Sequence, residues 1–368
     1  MFTSMLSSIA LCCTLVLTAG SKAEVIEQKY RDGSPKSRIE VQTSDGRQLN
    51  HGKETRYFPG GKPSLEGHWS DGLKDGVWIE WYAPGRKKFE TLYRRGEKHG
   101  RETRYYPTGA KFIQADYVNG QRHGKQIQWF DDGSKEIESD YDHGELHGVV
   151  RRWSNQGKPQ TEQHYVHGVK HGVELRWYAS GAKYSEAAYK NGEKEGPLRE
   201  WYPDGRLKLD SLYKNGDLSG KITLWHHDGL KQTEGEYRDG KPQGAWISWL
   251  DGPGHQKGSE LRFDNGLPDG LQAYWHRNGQ KKLEVTYAAG LRQGPWHEWY
   301  ENGKKRATGQ YANDQHEGTL IFYFDDGRKW AEKHYKAGKK SGVWTEWDRQ
   351  GKLWESKKYE KGLLVDTP

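Results

Sequence analysis

Histidine carries most of the chemical potential in this chain. His51, His99, His123, His147 and His171 each precede a glycine. His143 and His167 add H-x-x-x-H spacings within the segments DHGELHG and VHGVKHG. Imidazole is an ordinary metal ligand, and one such segment could offer an ion two histidines with Asp142 or Glu145. Histidines at equivalent places in successive repeats are different. They sit two strands apart, roughly 9–10 Å, too far to share one ion through bonds of ~2.1 Å. The expectation is therefore no metal and no cofactor. The carboxylate pairs Asp131-Asp132 and Asp325-Asp326 stand just before Gly133 and Gly327, where turn chemistry explains them. No nucleophile elbow, phosphate loop or zinc-protease helix is present. Periodic copies of a residue also argue against a single asymmetric catalytic constellation, so no enzyme activity is expected.

The elements that would position these residues recur with a fixed period. Glycines open thirteen repeats at positions 52, 76, 100, 124, 148, 172, 196, 220, 244, 270, 294, 318 and 342. Every step is 24 residues except the 26 from Gly244 to Gly270. The fifth residue after each opening glycine is aromatic, as at Tyr57, Trp81, Trp177 and Trp347. A second aromatic closes each second run, as at Trp69, Tyr93, Tyr189 and Tyr359. Alternation within each run indicates strands. A three-residue link, Ala83-Pro84-Gly85, pairs Tyr82 with Arg86 and Trp81 with Lys87. By parity, Ile79, Trp81, Phe89, Thr91 and Tyr93 would then share one face. Gly85 supplies the positive φ of the hairpin turn. Residues Arg94 to Gly100 form a longer turn to the next hairpin. The aromatics are expected to stack on their copies in adjacent hairpins. The fold is all-β: an elongated, twisted antiparallel sheet of about thirteen stacked β-hairpin repeats.

The chain is polar, with a mean hydropathy of −1.12 and 32% hydrophobic residues, which approaches the composition of disordered chains. Its 13% aromatic content, placed periodically, argues for folding without a thick core. Residues 1–23 contain the apolar run LSSIALCCTLVLTAG and small residues at Ser21 and Ala23, which reads as a secretory signal peptide. Its removal takes both cysteines, Cys12 and Cys13, and suits an oxidising compartment. It leaves 57 basic against 51 acidic residues, a mild net charge of +6 with no run suited to nucleic acid. The expected organisation is a leader over 1–23, a capping half-repeat over 24–51, repeats over 52–362 and a tail over 363–368. The mature chain would have no transmembrane segment and would be periplasmic or secreted.

The phrases GVWIEWYAPGRKKFETLYRRGEKHG, GPLREWYPDGRLKLDSLYKNGDLSG and GPWHEWYENGKKRATGQY resemble MORN repeats, in particular the bacterial variant grouped with YwqK-type antitoxins. Asp314 departs from the pattern, since the other turns have glycine there. The resemblance implies a non-enzymatic scaffold that binds proteins or associates with lipid, and its label suggests neutralisation of a toxin. Two other readings come from the residues. One is carbohydrate or envelope-polymer binding along the aromatic track. The other is a protein partner or self-association on the face opposite the fifth-position aromatic. The second and fourth positions after the opening glycine turn apolar from Gly220 onward: Ile222, Leu224, Trp246, Tyr274, Trp296, Leu320, Phe322 and Trp344. On a solvated face these eight residues would make an exposed stripe.

Overall fold

Successive 24-residue repeats each fold as two antiparallel strands, and within each part of the molecule the strands of one repeat pair with each other and with those of the adjacent repeats. The computed structural model describes residues 22–44, 46–83 and 85–366. Among these, thirty strands and no helix are found, so the all-β antiparallel architecture holds. The chain divides into two compact parts, residues 1–146 and 147–368. The first runs from the strand pair Lys22–Lys29 and Pro35–Ser44 to the strand Lys135–Asp142. The second ends on Leu363–Asp366, paired with Leu353–Glu360. The expected leader falls on residues 1–23, of which 1–21 lie outside the described residues.

The repeat is tighter than its sequence suggested. The segment from Arg94 to Gly100 is not a long turn. The strand Arg86–Arg94 ends, two residues turn, and Glu97–Tyr105 begins at once. Arg95 and Gly96 both have positive φ, 50° and 85°, as a type I′ hairpin turn requires. The opening glycine, Gly100, lies inside the strand with φ 79°. Thr91 pairs with Glu102, but Tyr93 pairs with Lys98, so residues around Gly100 form a bulge that only glycine enters without strain. The amide of Gly96 then donates to the carbonyl of Lys74 at 2.7 Å, docking the turn on the preceding repeat. Gly120 on Lys98 and Gly192 on Lys170 do the same.

At the other end of the hairpin, the expected pairs Trp81–Lys87 and Tyr82–Arg86 form. Gly85 has φ 96° and its amide donates to the Tyr82 carbonyl. The face assignment built on those pairs is nevertheless corrected. Glu80 pairs with Phe89, Trp78 with Thr91 and Gly76 with Tyr93. Lys88 is one residue too many, and a one-residue shift sends every later side chain to the opposite face. Phe89, Thr91 and Tyr93 therefore share a face with Trp78 and Glu80, not with Ile79 and Trp81. The same shift follows Tyr105, Trp177 and Trp225 in their repeats. The two extra residues of the 26-residue repeat are absorbed in the loop Leu250–Gln256, closed by a Leu250 amide to Gln256 carbonyl bond at 2.8 Å, and strand pairing resumes at Trp249–Lys257.

Packing follows from this register. The second residue after each opening glycine is the buried row: Glu54, Trp78, Glu102, Gln126, Val150, Glu174, Leu198, Gln272, Trp296 and Leu320 are all buried. Small residues at the fifteenth position face it, with Thr91, Ala115, Ser139, Ala187 and Ser211 also buried. The strand aromatics flank the row. Trp78 lies edge-on between Trp69 and Tyr93, with ring centroids 5.1 and 6.2 Å away. Tyr237, Trp246 and Phe263 repeat the arrangement. A cation two residues before the opening glycine covers many of these rings: Lys74 lies 4.2 Å from the Trp78 centroid, Lys194 4.7 Å from Tyr213 and Arg292 4.2 Å from Tyr311. The strand aromatics are thus joined through the second-position side chains and these cations.

A second ladder was not anticipated. The residue after the fifth-position aromatic bonds the carbonyl of the next repeat's aromatic: Tyr106 hydroxyl to Trp129 at 2.8 Å, Tyr178 to Trp201 at 2.8 Å and Tyr202 to Trp225 at 2.6 Å. His226 and His276 take the same place, with Nε2 3.1 and 2.9 Å from the carbonyls of Trp249 and Trp299. Those histidines are therefore structural.

Candidate interaction surface and turn histidines

The eight residues expected to form an exposed apolar stripe lie on the packed face. Trp296 and Leu320 are buried in one cluster with Val285 and Ala307, and Phe322 packs against that cluster. Ile222, Leu224, Trp246, Tyr274 and Trp344 are half-buried. The expectation of exposure is corrected because the bulge at each hairpin turns the strand aromatics and the second-position residues to the same side. The sequence carries a signal for this. Gly67 and Gly235 stand opposite Trp78 and Trp246, and a Cβ at either glycine would come within 2.2 Å of the indole. Large residues matched by small ones in the adjacent strand mark a packed row.

The opposite face is exposed and mixed. In the first part Val77 pairs with Leu92, both exposed, followed by the ion pairs Arg101–Asp116 and Lys125–Asp140. In the second part Val173, Leu212, Leu271 and Val343, at equivalent places in the repeat, are exposed. The fifth-position aromatics also lie toward this side and are half-buried. Lys183 covers the Trp201 ring at 4.9 Å and Lys257 the Trp275 ring at 5.1 Å, so these rings do not offer free faces to a sugar.

The residue just before the opening glycine has a recurring role in several repeats. Its side chain accepts a hydrogen bond from the amide of the turn residue that begins the next hairpin connection. Asp75 does this for Arg95 at 3.3 Å, Glu195 for Asn215 at 2.7 Å, Gln293 for Asn313 at 2.9 Å and His51 for Asp71 at 3.4 Å. Of the histidines before a glycine, His51 plays this part, whereas His99 Nδ1 is buried without a hydrogen-bond partner and His123 Nδ1 lies 3.2 Å from Asp142 Oδ1. Equivalent histidines remain two strands apart, but a histidine before a glycine meets the turn residue twenty positions later. The His123 and His143 rings lie 5.3 Å apart, and those of His147 and His167 4.9 Å apart.

One turn departs from glycine. Asp314 adopts φ 66°, a conformation that costs a non-glycine residue about 1 kcal/mol. Arg292 answers it: its amide and Nε both donate to Asp314 Oδ1, at 3.0 and 2.8 Å, and the contact holds the carboxyl below its usual range. Nearby, His316 takes the place of the ring-covering cation and stacks on Tyr311 at 4.5 Å, with Tyr335 at 5.4 Å. Burial, and then the Arg292 charge, lowers its pKa from 6.5. A folded-state pKa below the unfolded one means that stability is full above pH 6.5 and is lost as pH falls below it. Wild-type protein should lose stability between pH 7 and 5, and His316→Lys should lose less over the same interval, since Lys74, Lys98 and Lys194 occupy this place elsewhere. Chemical denaturation at several pH values checks this; identical pH profiles would refute it.

Residues 194–215 and 292–313 match the family described as MORN repeat variant. No curated protein matches the chain. Among solved structures, the chain is similar to part of the Photorhabdus luminescens Tc holotoxin pore, with 11% identity over 93% of this chain and 19% of that one and a TM-score of 0.17. It is also similar to part of the TcdB2-TccC3-Cdc42 crystal structure, with 10% identity over 91% of this chain and 26% of that one and a TM-score of 0.13. The chain therefore spans about a fifth to a quarter of the length of these chains. Both matched family segments begin two residues before an opening glycine, Gly196 or Gly294, and end at a turn asparagine, Asn215 or Asn313. The unit matched in each segment is thus the bulged strand pair described above, and these two segments are similar to the MORN repeat variant.

Proposed function

We propose that the protein is an exported, non-enzymatic scaffold that binds a protein partner through the face opposite its packed row. The observation that carries this reading is the set of exposed apolar side chains at equivalent places in the repeat, Val77 and Leu92 in the first part and Val173, Leu212, Leu271 and Val343 in the second. Exposed apolar residues rimmed by charge suit protein recognition. The ion pairs interspersed among them, such as Arg101–Asp116 and Arg199–Asp210, would set register with a partner rather than affinity. MORN repeats are consistent with a repeated binding module. Export rests on the apolar run at the start of the chain. The half-buried residues Ile222, Leu224, Trp246, Tyr274 and Trp344 would support the fold more than the contact.

The test compares capture of envelope proteins by wild type and by the triple variant Val77→Asp, Val173→Asp and Leu271→Asp. Capture should fall at least ~10-fold, about 1.4 kcal/mol, while the melting temperature stays nearly unchanged. A polysaccharide gel should retain neither protein. Capture that survives the triple variant, or retention on the gel, would contradict the reading.

A further inference from the structure

We propose that His123, Asp142 and His143 form a binding site for a divalent late transition metal of the zinc class. The three lie where one repeat's strand Gln121–Trp129 meets the next repeat's turn. That turn is anchored, because the Gly144 amide donates to the Arg122 carbonyl at 2.8 Å and Arg122 Nη1 reaches the Tyr141 hydroxyl at 3.3 Å. Both imidazoles direct Nδ1 to the same carboxylate oxygen: His123 is 3.2 Å and His143 2.7 Å from Asp142 Oδ1. All three ligand atoms lie within 4.8 Å of one another. A tetrahedral zinc ion with bonds of ~2.0–2.1 Å spaces its ligand atoms about 3.3 Å apart. Small side-chain rotations would therefore open the hydrogen-bonded arrangement into coordination.

Two features separate this cluster from the common repeat. Where several repeats place asparagine at the first turn position, as at Asn119, Asn191 and Asn215, this one has histidine with φ 46°, as does the next at His167. The residue before it is an aspartate, where neighbouring repeats have Val118 and Val166. Two imidazoles and one carboxylate suit zinc, copper or nickel, and do not suit calcium or magnesium, which take oxygen ligands. All three side chains reach solvent, so a fourth position is open to water or to a donor from outside the chain.

The test uses the full protein without a histidine tag, titrated with zinc chloride by calorimetry. One ion should bind with micromolar affinity. His123→Gln and His143→Asn should each weaken binding at least ~10-fold, about 1.4 kcal/mol. Both substitutions put in residues that other repeats carry at the same places, Gln243 and Gln293 before the glycine and Asn119 or Asn191 in the turn, so the metal-free melting temperature should not change. Asp142→Asn gives a third reading of the same kind. The proposal is overturned if zinc does not bind, or if affinity is the same in wild type, His123→Gln and His143→Asn.

Discussion

Replacing Trp78 with alanine is expected to cost about 3–5 kcal/mol, the usual loss for a large buried aromatic. Trp78 is 1% exposed, makes edge contacts with Trp69 and Tyr93, and donates its indole N–H to the His68 carbonyl at 3.1 Å. Alanine would leave a cavity lined by two aromatic rings and would remove the surface over which Lys74 lies. The complementary change is Gly67→Ala. Its Cβ would fall 2.2–2.5 Å from three ring carbons of Trp78, and forcing extra volume there should cost about 1–3 kcal/mol. Adding Trp78→Leu to Gly67→Ala should recover part of that loss, because Leu198 already occupies the same row opposite Ala187. Thermal unfolding with hydrogen exchange across strands Pro63–Ser70 and Leu73–Tyr82 measures both effects. Exchange and melting unchanged in Trp78→Ala would place this tryptophan outside the core.

The second large effect concerns the period. Deleting Gly172–Glu195 joins His171 to Gly196 and restores the same bulge, strand and turn sequence one repeat later. Each repeat pairs only with its neighbours, so the shortened protein should unfold cooperatively near the wild-type temperature. Deleting only residues 172–183 joins His171 to Tyr184. It removes Trp177, the link closed by Gly181 and the carbonyl-bonding Tyr178, and it leaves one strand of a hairpin without its partner. This variant should lose cooperative folding. Circular dichroism melts of the two deletions decide the matter, and equal melting behaviour would contradict the nearest-neighbour account.

The sequence carried the period, the all-β class and the hairpin ends, because a glycine and two aromatics mark each repeat and turn residues are chemically distinctive. Trp81–Lys87 and Tyr82–Arg86 pair as their spacing indicated. The sequence did not carry the faces directly. Alternation counts residues, and the extra residue at Lys88 leaves no gap in the pattern while reversing its sense. That one shift moved Trp296 and Leu320 from a supposed binding stripe into the packed row. The small residues Thr91, Ala115, Ser139, Ala187 and Ser211 at one place in the repeat were the available clue, since a row of small side chains fits where neighbouring residues close over it. The proximity of the turn histidines was hidden for a related reason. Comparing equivalent positions hid the meeting of His123 with His143, which belong to different places in the repeat.

The register is tested most directly by single cysteines in a chain lacking Cys12 and Cys13, read by the rate of thiol alkylation under native conditions. Val173→Cys and Leu271→Cys probe the exposed face, where the native side chains are 39% and 47% exposed. Ala115→Cys and Ala187→Cys probe the packed row, where they are 4% and 5% exposed. The bulged register predicts fast alkylation at 173 and 271 and rates at least ~100-fold slower at 115 and 187, set by opening of about 2.7 kcal/mol or more. Equal rates at all four positions, or faster reaction at 115 and 187, would contradict it.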